Sequence, residues 1–317
     1  MPTENYTSTS TASLGTSLVQ TAYDRYVEFA LRSMPLIRDV ADKRPAQQAM
    51  PGSSVVFQLY TDLSAVTGTL TETVDPDSVA LGNTTNVSVT LNEYGNAAIA
   101  TRKLELFSLS DVDPAIADII AYNMADSIDG FAQTVLRGGS NVIYSGGGTA
   151  TTGVTGGSNS QITSANIRRA IAKLRANKAV PRVGELYWVG IHPEVSHDLR
   201  AETGAGGWRE AHVYNESGAG NLWPGSIGVY EGAMFVESPR MYNATDGGSS
   251  ARVFRTILAG KQALAEAVAE EPHVVIGPVT DKLMRFRPIG WYGVLGFSRY
   301  REASLFRIES TSSINNS

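Results

Sequence analysis

The sequence contains no cysteine among its 317 residues and only four histidines. The absence of cysteine excludes disulfides, thiolate metal sites and a cysteine nucleophile. Basic residues are not in excess either, because the formal net charge is −5 at pH 7. A surface that is basic overall, as in many nucleic-acid-binding proteins, is therefore not expected. Stability has to come from packing and from contacts between subunits.

Long apolar runs and targeting signals are also missing. No stretch approaches the roughly 20 apolar residues that a membrane helix needs. The first 15 residues are rich in Ser and Thr and lack the basic and apolar regions of a secretory signal. We therefore expect a soluble protein without membrane contact, made in a cytoplasm. The chain length suggests about two domains.

Motifs for catalysis or cofactor binding are absent as well. The closest approach to a nucleophile elbow has Pro224 where the first glycine is required, and no dinucleotide fingerprint follows a predicted strand. A cluster of His192, Glu194, His197 and Asp198 is the one candidate metal site, but two histidines five residues apart do not share a helix face. We interpret these four residues as helix-capping and surface groups. The sequence predicts no catalytic residue, no metal site and no cofactor.

The first segment, residues 1–51, is predicted to be an N-terminal arm with a helix. A polar tail precedes apolar residues at helical spacing, and prolines interrupt the pattern afterwards. The apolar residues of this helix are Val19, Tyr23, Tyr26 and Ala30. An arm that lies on a neighbouring subunit and a helix that caps its own domain fit this pattern equally well.

Residues 52–107 are predicted to form an extended loop, a β-hairpin. Apolar residues alternate in two stretches, at Val55, Phe57 and Leu59 and again at Val87, Val89 and Leu91. No Lys or Arg occurs between Arg44 and Arg102, whereas five acidic residues do: Asp62, Glu72, Asp75, Asp77 and Glu93. A hairpin with so little apolar surface is not stable alone, so we expect it to lie on a neighbouring subunit, with its acids drawn to basic surfaces.

Residues 108–162 are predicted to hold a long helix and a connector. Asp113 is a suitable N-cap and Pro114 suits the first helical position. An apolar stripe then runs from Ile116 to Val135, and Gly138 and Gly139 end the helix. The glycine-rich stretch 138–160 lacks the Gly-Lys-Ser/Thr of a phosphate loop and is interpreted as a flexible connector. We expect this segment to form a peripheral domain around a spine helix.

Residues 163–272 are predicted to form a compact α/β domain. Ser164 is expected to cap a helix, and strands are expected near 186–189, 232–237 and 253–259, with a last helix over 260–269. The helix after Ser164 carries a basic face: Arg168, Arg169, Lys173, Arg175 and Lys178. Such a run is more often a solvated face or a subunit contact than a nucleic-acid site. Residues 273–317 are expected to return in strands to the peripheral domain and to end in a polar tail.

This order of parts resembles the HK97-type major capsid fold, an α+β fold with an N-terminal arm, an extended β-hairpin loop, a peripheral domain with a spine helix and an axial α/β domain. More narrowly, the chain resembles the group of phage capsid proteins named after the N4 capsid protein. The residues that carry this resemblance are LNEYGNAAI at 91–99, the helix over 113–136 and the closing run 290–306.

The resemblance implies a structural protein of a virion, the major capsid protein of a tailed double-stranded DNA bacteriophage. Hexamers and pentamers would build an icosahedral shell by self-assembly in the host bacterial cytoplasm. The partners implied are a separate scaffolding protein, a portal and possibly a decoration protein, with packaged DNA contacted non-specifically at most. No lysine occurs between Lys43 and Lys103, so the isopeptide cross-link of the founding member of the fold is not expected.

Two groups of residues are our candidates for contacts between subunits. The first is apolar: Phe57, Leu59, Val87 and Leu91. The second pairs acids of the loop with basic residues of a later strand: Glu72, Asp75 and Asp77 with Arg285 and Arg287.

Two alternative functions remain open at this point. One is an encapsulin-type nanocompartment shell, which has the same fold. The other, from a different class, is a virion glycan-binding or hydrolytic protein, for which Trp208, Trp223 and Glu231 are the candidate residues.

Overall fold

The computed structural model of the chain describes residues 32–45, 54–60, 62–70, 72, 73, 75, 78–80, 82, 85–107, 112–203, 208, 226–278, 281–283 and 285–314. The helix predicted around 19–30 lies outside the described residues, as do Asp77 and Trp223. No helix formed by the described part of the chain is long and apolar enough to cross a membrane.

The spine helix is present as predicted. Helix α2 (Val112–Leu136) has 25 residues, which corresponds to a length of about 37 Å. It begins at Val112, one residue before Asp113, so Asp113 lies in the first turn and not at the cap. Ile120 and Ile128 of the predicted stripe are buried, as is Leu136 at the end of the helix. A short helix, α1 (Arg102–Phe107), precedes it.

The axial unit is built on a seven-stranded sheet with the order β5-β13-β10-β6-β8-β7, to which β9 adds on β10. Helices α3 and α4 cover one face, where the side chains of Phe254, Leu258 and Ile308 join their core. The other face packs against the end of α2 through Ile257 and Leu305. The elements are β5 (Val142–Tyr144), α3 (Ser164–Ala176), β6 (Tyr187–Ile191), α4 (Pro193–Ala201), β7 (Ser226–Tyr230), β8 (Ala233–Glu237), β9 (Asn243–Ala244), β10 (Val253–Ala259) and β13 (Leu305–Ser310).

A second, four-stranded sheet has the order β1-β11-β12-β4. Its strands are β1 (Ala41–Pro45), β4 (Asn92–Thr101), β11 (Leu264–Ile276) and β12 (Phe286–Arg299). Strand β1 runs parallel to β11, and the other neighbours are antiparallel. The spine helix packs on this sheet where Ile128 meets Val268 and Leu295. We call this sheet with helix α2 the peripheral unit.

The predicted hairpin is formed by β2 (Ser54–Leu59) and β3 (Thr85–Thr90), which pair antiparallel with Phe57 opposite Val87. It lies on the peripheral sheet of its own chain. A glycine permits this close approach, because a Cβ atom at Gly296 of β12 would collide with the carbonyl oxygen of Thr90. The hairpin therefore does not need a neighbouring subunit for its support, contrary to our expectation.

Several predicted elements were wrong in type or place. Residues 260–269 were expected to be helical because they are rich in Ala, yet strand β11 begins at Leu264 and is paired on both sides, by β1 and by β12. Pairing on both edges outweighs local helix propensity here. The expected boundary at 272/273 falls inside β11, and the last strand, β13, lies in the axial sheet next to β10 and not in the peripheral unit.

Four strands were missed: β1, β5, β7 and β9. Strand β5 lies inside the glycine-rich stretch that was interpreted as a connector, and three 3-10 turns follow it. Strand β1 ends at Pro45, at a sheet edge where a proline is tolerated. Both strands are short edge strands, for which a periodic sequence pattern is weak.

Candidate assembly surfaces

The apolar face of the hairpin is already used within its own chain. Phe57 is 3% exposed and its ring centroid lies 5.5 Å from that of Tyr300. Leu59, Val87 and Leu91 are half-buried in the same cluster, which includes Ala265 and Ala267 of β11. Contacts of these four residues with another subunit stay a prediction. Their alternation correctly indicated a buried face, but the partner is the peripheral sheet of the same subunit.

The connection between β2 and β3, residues 60–84, is exposed wherever the structure describes it. It exposes four aliphatic side chains to between 54% and 87%: Leu63, Val66, Leu70 and Val79. Its acids Asp62, Glu72 and Asp75 are exposed as well, whereas Asp77 lies outside the described residues. This connection, and not the hairpin itself, is the part of the predicted extended loop with free apolar surface.

A second exposed apolar surface lies at one end of the peripheral sheet. Register places its residues together: Ile99 pairs with Pro288, Ile276 with Ile289 and Phe286 with Thr101, and α1 follows directly. The exposed apolar members are Ile99, Leu104, Leu106, Phe107, Ile276, Leu283 and Phe286. We call this surface the peripheral tip. Contiguous apolar exposure of this kind marks a protein contact in a folded chain.

Basic residues surround the peripheral tip. Arg102, Lys103, Lys282, Arg285 and Arg287 are all exposed there. The guanidinium of Arg285 lies 5.2 Å from the ring centroid of Phe286 and its Nε atom donates to Asp281 at 2.6 Å. That hydrogen bond holds the pKa of Asp281 below its ordinary value. The two predicted arginines therefore lie on one surface, and the structure adds the apolar residues that the sequence did not point out.

The hairpin that carries the connection and the peripheral tip lie at opposite ends of strand β12. The hairpin packs on Tyr300, just beyond the end of β12, while Phe286 of the tip begins the same strand. Fourteen residues of extended strand span on the order of 45 Å. The sheet lies between the two surfaces, so each is accessible to a different neighbouring molecule.

A buried carboxylate joins the two units and the N-terminal segment. Asp129 of the spine helix is 1% exposed and accepts hydrogen bonds from the backbone N–H of Ile37 at 2.6 Å and of Arg38 at 3.1 Å. It also accepts from Nε of Arg240 at 2.9 Å, and Arg240 reaches Asp126 as well. Burial lowers the pKa of Arg240, but its hydrogen bonds to both aspartates raise it above the ordinary value.

A second buried carboxylate fixes the end of the spine helix. Glu309 is fully buried in β13, and its Oε1 atom lies 2.8 Å from Nε of Arg307 and 3.2 Å from Nε of Arg255. Arg307 in turn donates to the carbonyl oxygens of Arg137 and Gly139, just past the helix. A cation at the C-terminal end of a helix is favoured by the helix dipole. Sequence periodicity cannot find such residues, because it identifies the apolar face of an element and does not show which acid is buried with a distant arginine.

The predicted basic face of α3 is present and exposed. Its cations lie on the side opposite to the buried Ile167, Ile171 and Leu174. The helix begins after Thr163, whose hydroxyl accepts from the N–H of Asn166, so Thr163 and not Ser164 is the N-cap. The prediction of an amphipathic helix at this place is confirmed, with the cap shifted by one residue.

The histidine cluster has a structural role. His192 caps α4 by accepting from the N–H of Glu194 at 3.3 Å, and burial lowers its pKa from the ordinary value of 6.5. Asp198 accepts from the N–H of Ser313 at 2.8 Å and holds the C-terminal segment on α4. No group of three potential metal ligands occurs among the described residues.

Of the residues proposed for a glycan site, the structure describes Trp208 and Glu231. Trp208 is buried and packs edge-on against Phe235, with ring centroids 4.7 Å apart. It therefore belongs to the axial core. Glu231 lies in the turn between β7 and β8 with φ of 52°, and Trp223 is outside the described residues.

Comparison with known proteins, by sequence family and by structure, finds phage capsid proteins. A family model described as phage capsid protein matches residues 13–314. No curated protein sequence is similar enough to match. Among solved structures, the capsid of Ralstonia phage GP4 is similar with a TM-score of 0.76 at 15% identity, over 96% of this chain and 99% of that one.

Two further structures match over nearly their whole length. The head structure of Helicobacter pylori bacteriophage KHP40 gives a TM-score of 0.71 at 13% identity, over 98% of this chain and 100% of that one. The capsid of a native GTA particle gives 0.61 at 16% identity, over 97% and 100%. The fold is thus the HK97-like capsid fold that was predicted. The narrower resemblance to the N4 capsid protein group stays a prediction.

Proposed function

This chain belongs to the phage capsid protein family and is a major capsid protein of a phage head, and on that premise we propose that its copies join by laying the β2–β3 connection of one subunit on the peripheral tip of another. The subunit self-assembles into the shell and is located in the virion capsid. The observation that carries this proposal is the pair of exposed apolar surfaces at opposite ends of the peripheral sheet, one acidic and one basic.

Burial of both surfaces would stabilise the contact through the hydrophobic effect. Val66 and Leu70 of the connection and Leu106 and Phe107 of the tip are each at least 68% exposed in the single subunit. Covering an aliphatic or aromatic side chain of this size contributes about 1.5–3 kcal/mol. The partner surfaces differ, so the contact is heterologous and repeats from copy to copy. Repetition with closure gives rings, as capsomers require.

Charge would give this contact its direction and register. The connection carries Glu72 and Asp75 with no basic residue between Arg44 and Arg102, and the tip carries Arg285 and Arg287. Like-charged alternatives, such as connection on connection, are disfavoured by repulsion. Surface charge pairs are individually weak and screened by salt, so subunits that join wrongly can separate again.

The remaining parts of the assembly are proposed from the family. We propose hexamers and pentamers centred on the axial unit, roughly residues 163–272, with the peripheral unit and the arm of residues 1–51 joining them. Assembly would take place in the host bacterial cytoplasm with a separate scaffolding protein and a portal, and possibly a decoration protein. The role is structural and not enzymatic. The family match favours this viral shell over the encapsulin-type alternative.

Charge reversal tests the proposed contact. We expect the double variant Arg285→Glu, Arg287→Glu to stay folded but to lose closed shells in negative-stain micrographs, because it places like charges opposite Glu72 and Asp75. Adding Glu72→Arg and Asp75→Arg should restore shells. The matched control is Arg168→Glu, Arg169→Glu on α3, which changes the same charge and should leave empty shells unaffected. Normal shells from the tip variant would contradict the proposal.

A further inference from the structure

The exposed face of helix α3 differs chemically from the peripheral tip, although both are basic. Its cations Arg168, Arg169, Lys173 and Arg175 are all exposed, as is Lys178 just past the end of the helix, and α3 contains no acidic residue. Among the ion pairs formed between described residues, none involves these side chains; Arg175 has only the carbonyl oxygen of Glu231 at 3.5 Å. The face is a concentrated positive patch on a chain of net charge −5.

The arrangement of these cations is ordered along the helix. Arg168 and Arg175 are seven residues apart and form one row, and Arg169 and Lys173 are four apart and form another. The exposed Ala165, Ala172 and Ala176 lie between the two rows. The rows extend about 6–10 Å along the helix axis. A narrow, linear polyanion can therefore lie on the alanines with cations on both sides.

The composition of this face indicates which kind of ligand it can bind: a protein, a single-stranded nucleic acid or a duplex. None of the exposed large hydrophobic residues in the described part of the chain lies on α3, whereas the peripheral tip has seven such residues. Protein interfaces need an apolar centre and are depleted in lysine, so the tip fits a protein and α3 does not. The exposed face of α3 also lacks aromatic residues, on which unpaired bases would stack. The phosphate backbone of a DNA duplex is the ligand that matches this basic face without apolar or aromatic residues.

We propose that the basic face of α3 binds the phosphate backbone of double-stranded DNA without sequence preference. In the shell this surface would contact the packaged genome, and this inference rests on the proposed function as a capsid subunit. Arginine and lysine neutralise phosphates by displacing condensed counterions, which gives sequence-independent binding with a steep dependence on salt. An acidic protein segment is the competing ligand, because it shares the negative charge.

The test compares two triple variants that each remove three positive charges from the full-length, unassembled subunit. The first, Arg168→Ala, Arg169→Ala, Lys173→Ala, removes three of the four cations that form the two rows of α3; alanine keeps the helix. The control, Lys103→Ala, Arg285→Ala, Arg287→Ala, removes cations of the peripheral tip. Binding to a short fluorescent duplex is measured by anisotropy over a range of NaCl concentrations, with circular dichroism to confirm folding.

We expect the wild type and the tip variant to bind the duplex, and the α3 variant to bind more weakly at low salt. The slope of log K against log salt should fall by about 0.9 for each lost phosphate contact, hence by up to about 3 for the α3 variant. Two different duplex sequences should give equal affinities. Shell formation should show the reverse pattern, impaired in the tip variant and retained in the α3 variant.

Two outcomes would overturn the inference. One is equal duplex binding by the wild type and the α3 variant, or no binding by either at low salt. The other is that a synthetic peptide of residues 60–84 competes for α3 while the duplex does not, which would assign the face to an acidic protein segment. Failure of the tip variant to impair assembly would count against the proposed subunit contact alone, since it leaves the duplex measurement untouched.

Discussion

The axial unit buries its large apolar side chains, whereas the β2–β3 connection and the peripheral tip expose theirs. In the axial unit Trp188, Phe235 and Phe254 are almost fully buried, and both faces of the sheet are covered. In the β2–β3 connection and the peripheral tip, Val66 is 87% and Phe107 77% exposed. One region completes its core within a single chain, and the other leaves large apolar groups in water.

This difference separates residues that a subunit needs to fold from residues that copies need to join. Exposed patches of this size are costly for a solitary protein, so they indicate surfaces that are covered in the assembly. The hairpin lies between the two extremes, because its inner face is buried on its own sheet while the connection beyond it is not. Substitutions in the two regions should therefore have different consequences for stability and for assembly.

The sharpest contrast is expected between two phenylalanines. Phe235→Ala should lower the free energy of unfolding by about 3–5 kcal/mol, because it leaves a cavity in the axial core beside Trp208. Phe107→Ala at the exposed tip should change it by less than about 0.5 kcal/mol but should reduce shell formation. Urea denaturation measures the first effect and electron microscopy the second. Equal losses of stability would remove the distinction between the two regions.

A smaller effect is expected where the two units are joined. Asp129→Ala should cost about 3 kcal/mol, because it leaves Arg240 and the N–H groups of Ile37 and Arg38 without their shared acceptor. Asp118 of the same helix offers a matched control: its ion pair with Arg32 at 2.7 Å is more than half exposed on the acid side. Asp118→Ala should cost less than about 1 kcal/mol. Thermal unfolding of both variants decides whether the stabilisation at this contact between the two units depends on burial of the carboxylate or only on its ion pair.

The smallest effect should come from protonation of His192 in the axial unit. Burial lowers its folded pKa below the ordinary 6.5, so the unfolded chain binds a proton first as the pH falls. Stability is unaffected above about pH 6.5 and decreases as the pH drops from there to the folded pKa. His192→Asn keeps a capping side chain and should reduce that decrease. A variant with the same pH profile as the wild type between pH 7 and 5 would contradict this assignment.

Strongly periodic elements could be predicted from the sequence. The spine helix follows from apolar residues repeating at three and four positions over 25 residues, and the hairpin from strict alternation around Phe57 and Val87. The start of α3 was predicted to within one residue from a capping residue, and β10 was predicted with the bounds that the structure has. In each case the pattern is local, so no knowledge of the rest of the fold is needed.

Elements whose state depends on distant partners could not be predicted. The alanine-rich start of β11 favours a helix locally and becomes a strand because β1 and β12 pair with it. The alternation of Phe57 and Leu59 indicates one buried face but cannot tell whether the covering sheet belongs to the same chain. The peripheral tip combines β4, α1 and the β11–β12 turn, which are nearly 200 residues apart, and only the charged pair Arg285 and Arg287 pointed to it.

The central claim is that the β2–β3 connection of one subunit lies on the peripheral tip of another. A cryo-electron microscopy map of the assembled shell, at a resolution that traces the chain, tests it directly. The account predicts density for residues 60–84 against Leu106, Phe107 and Arg285 of an adjacent copy. Density that folds this connection back onto its own subunit, or leaves the tip exposed in the closed shell, would contradict it.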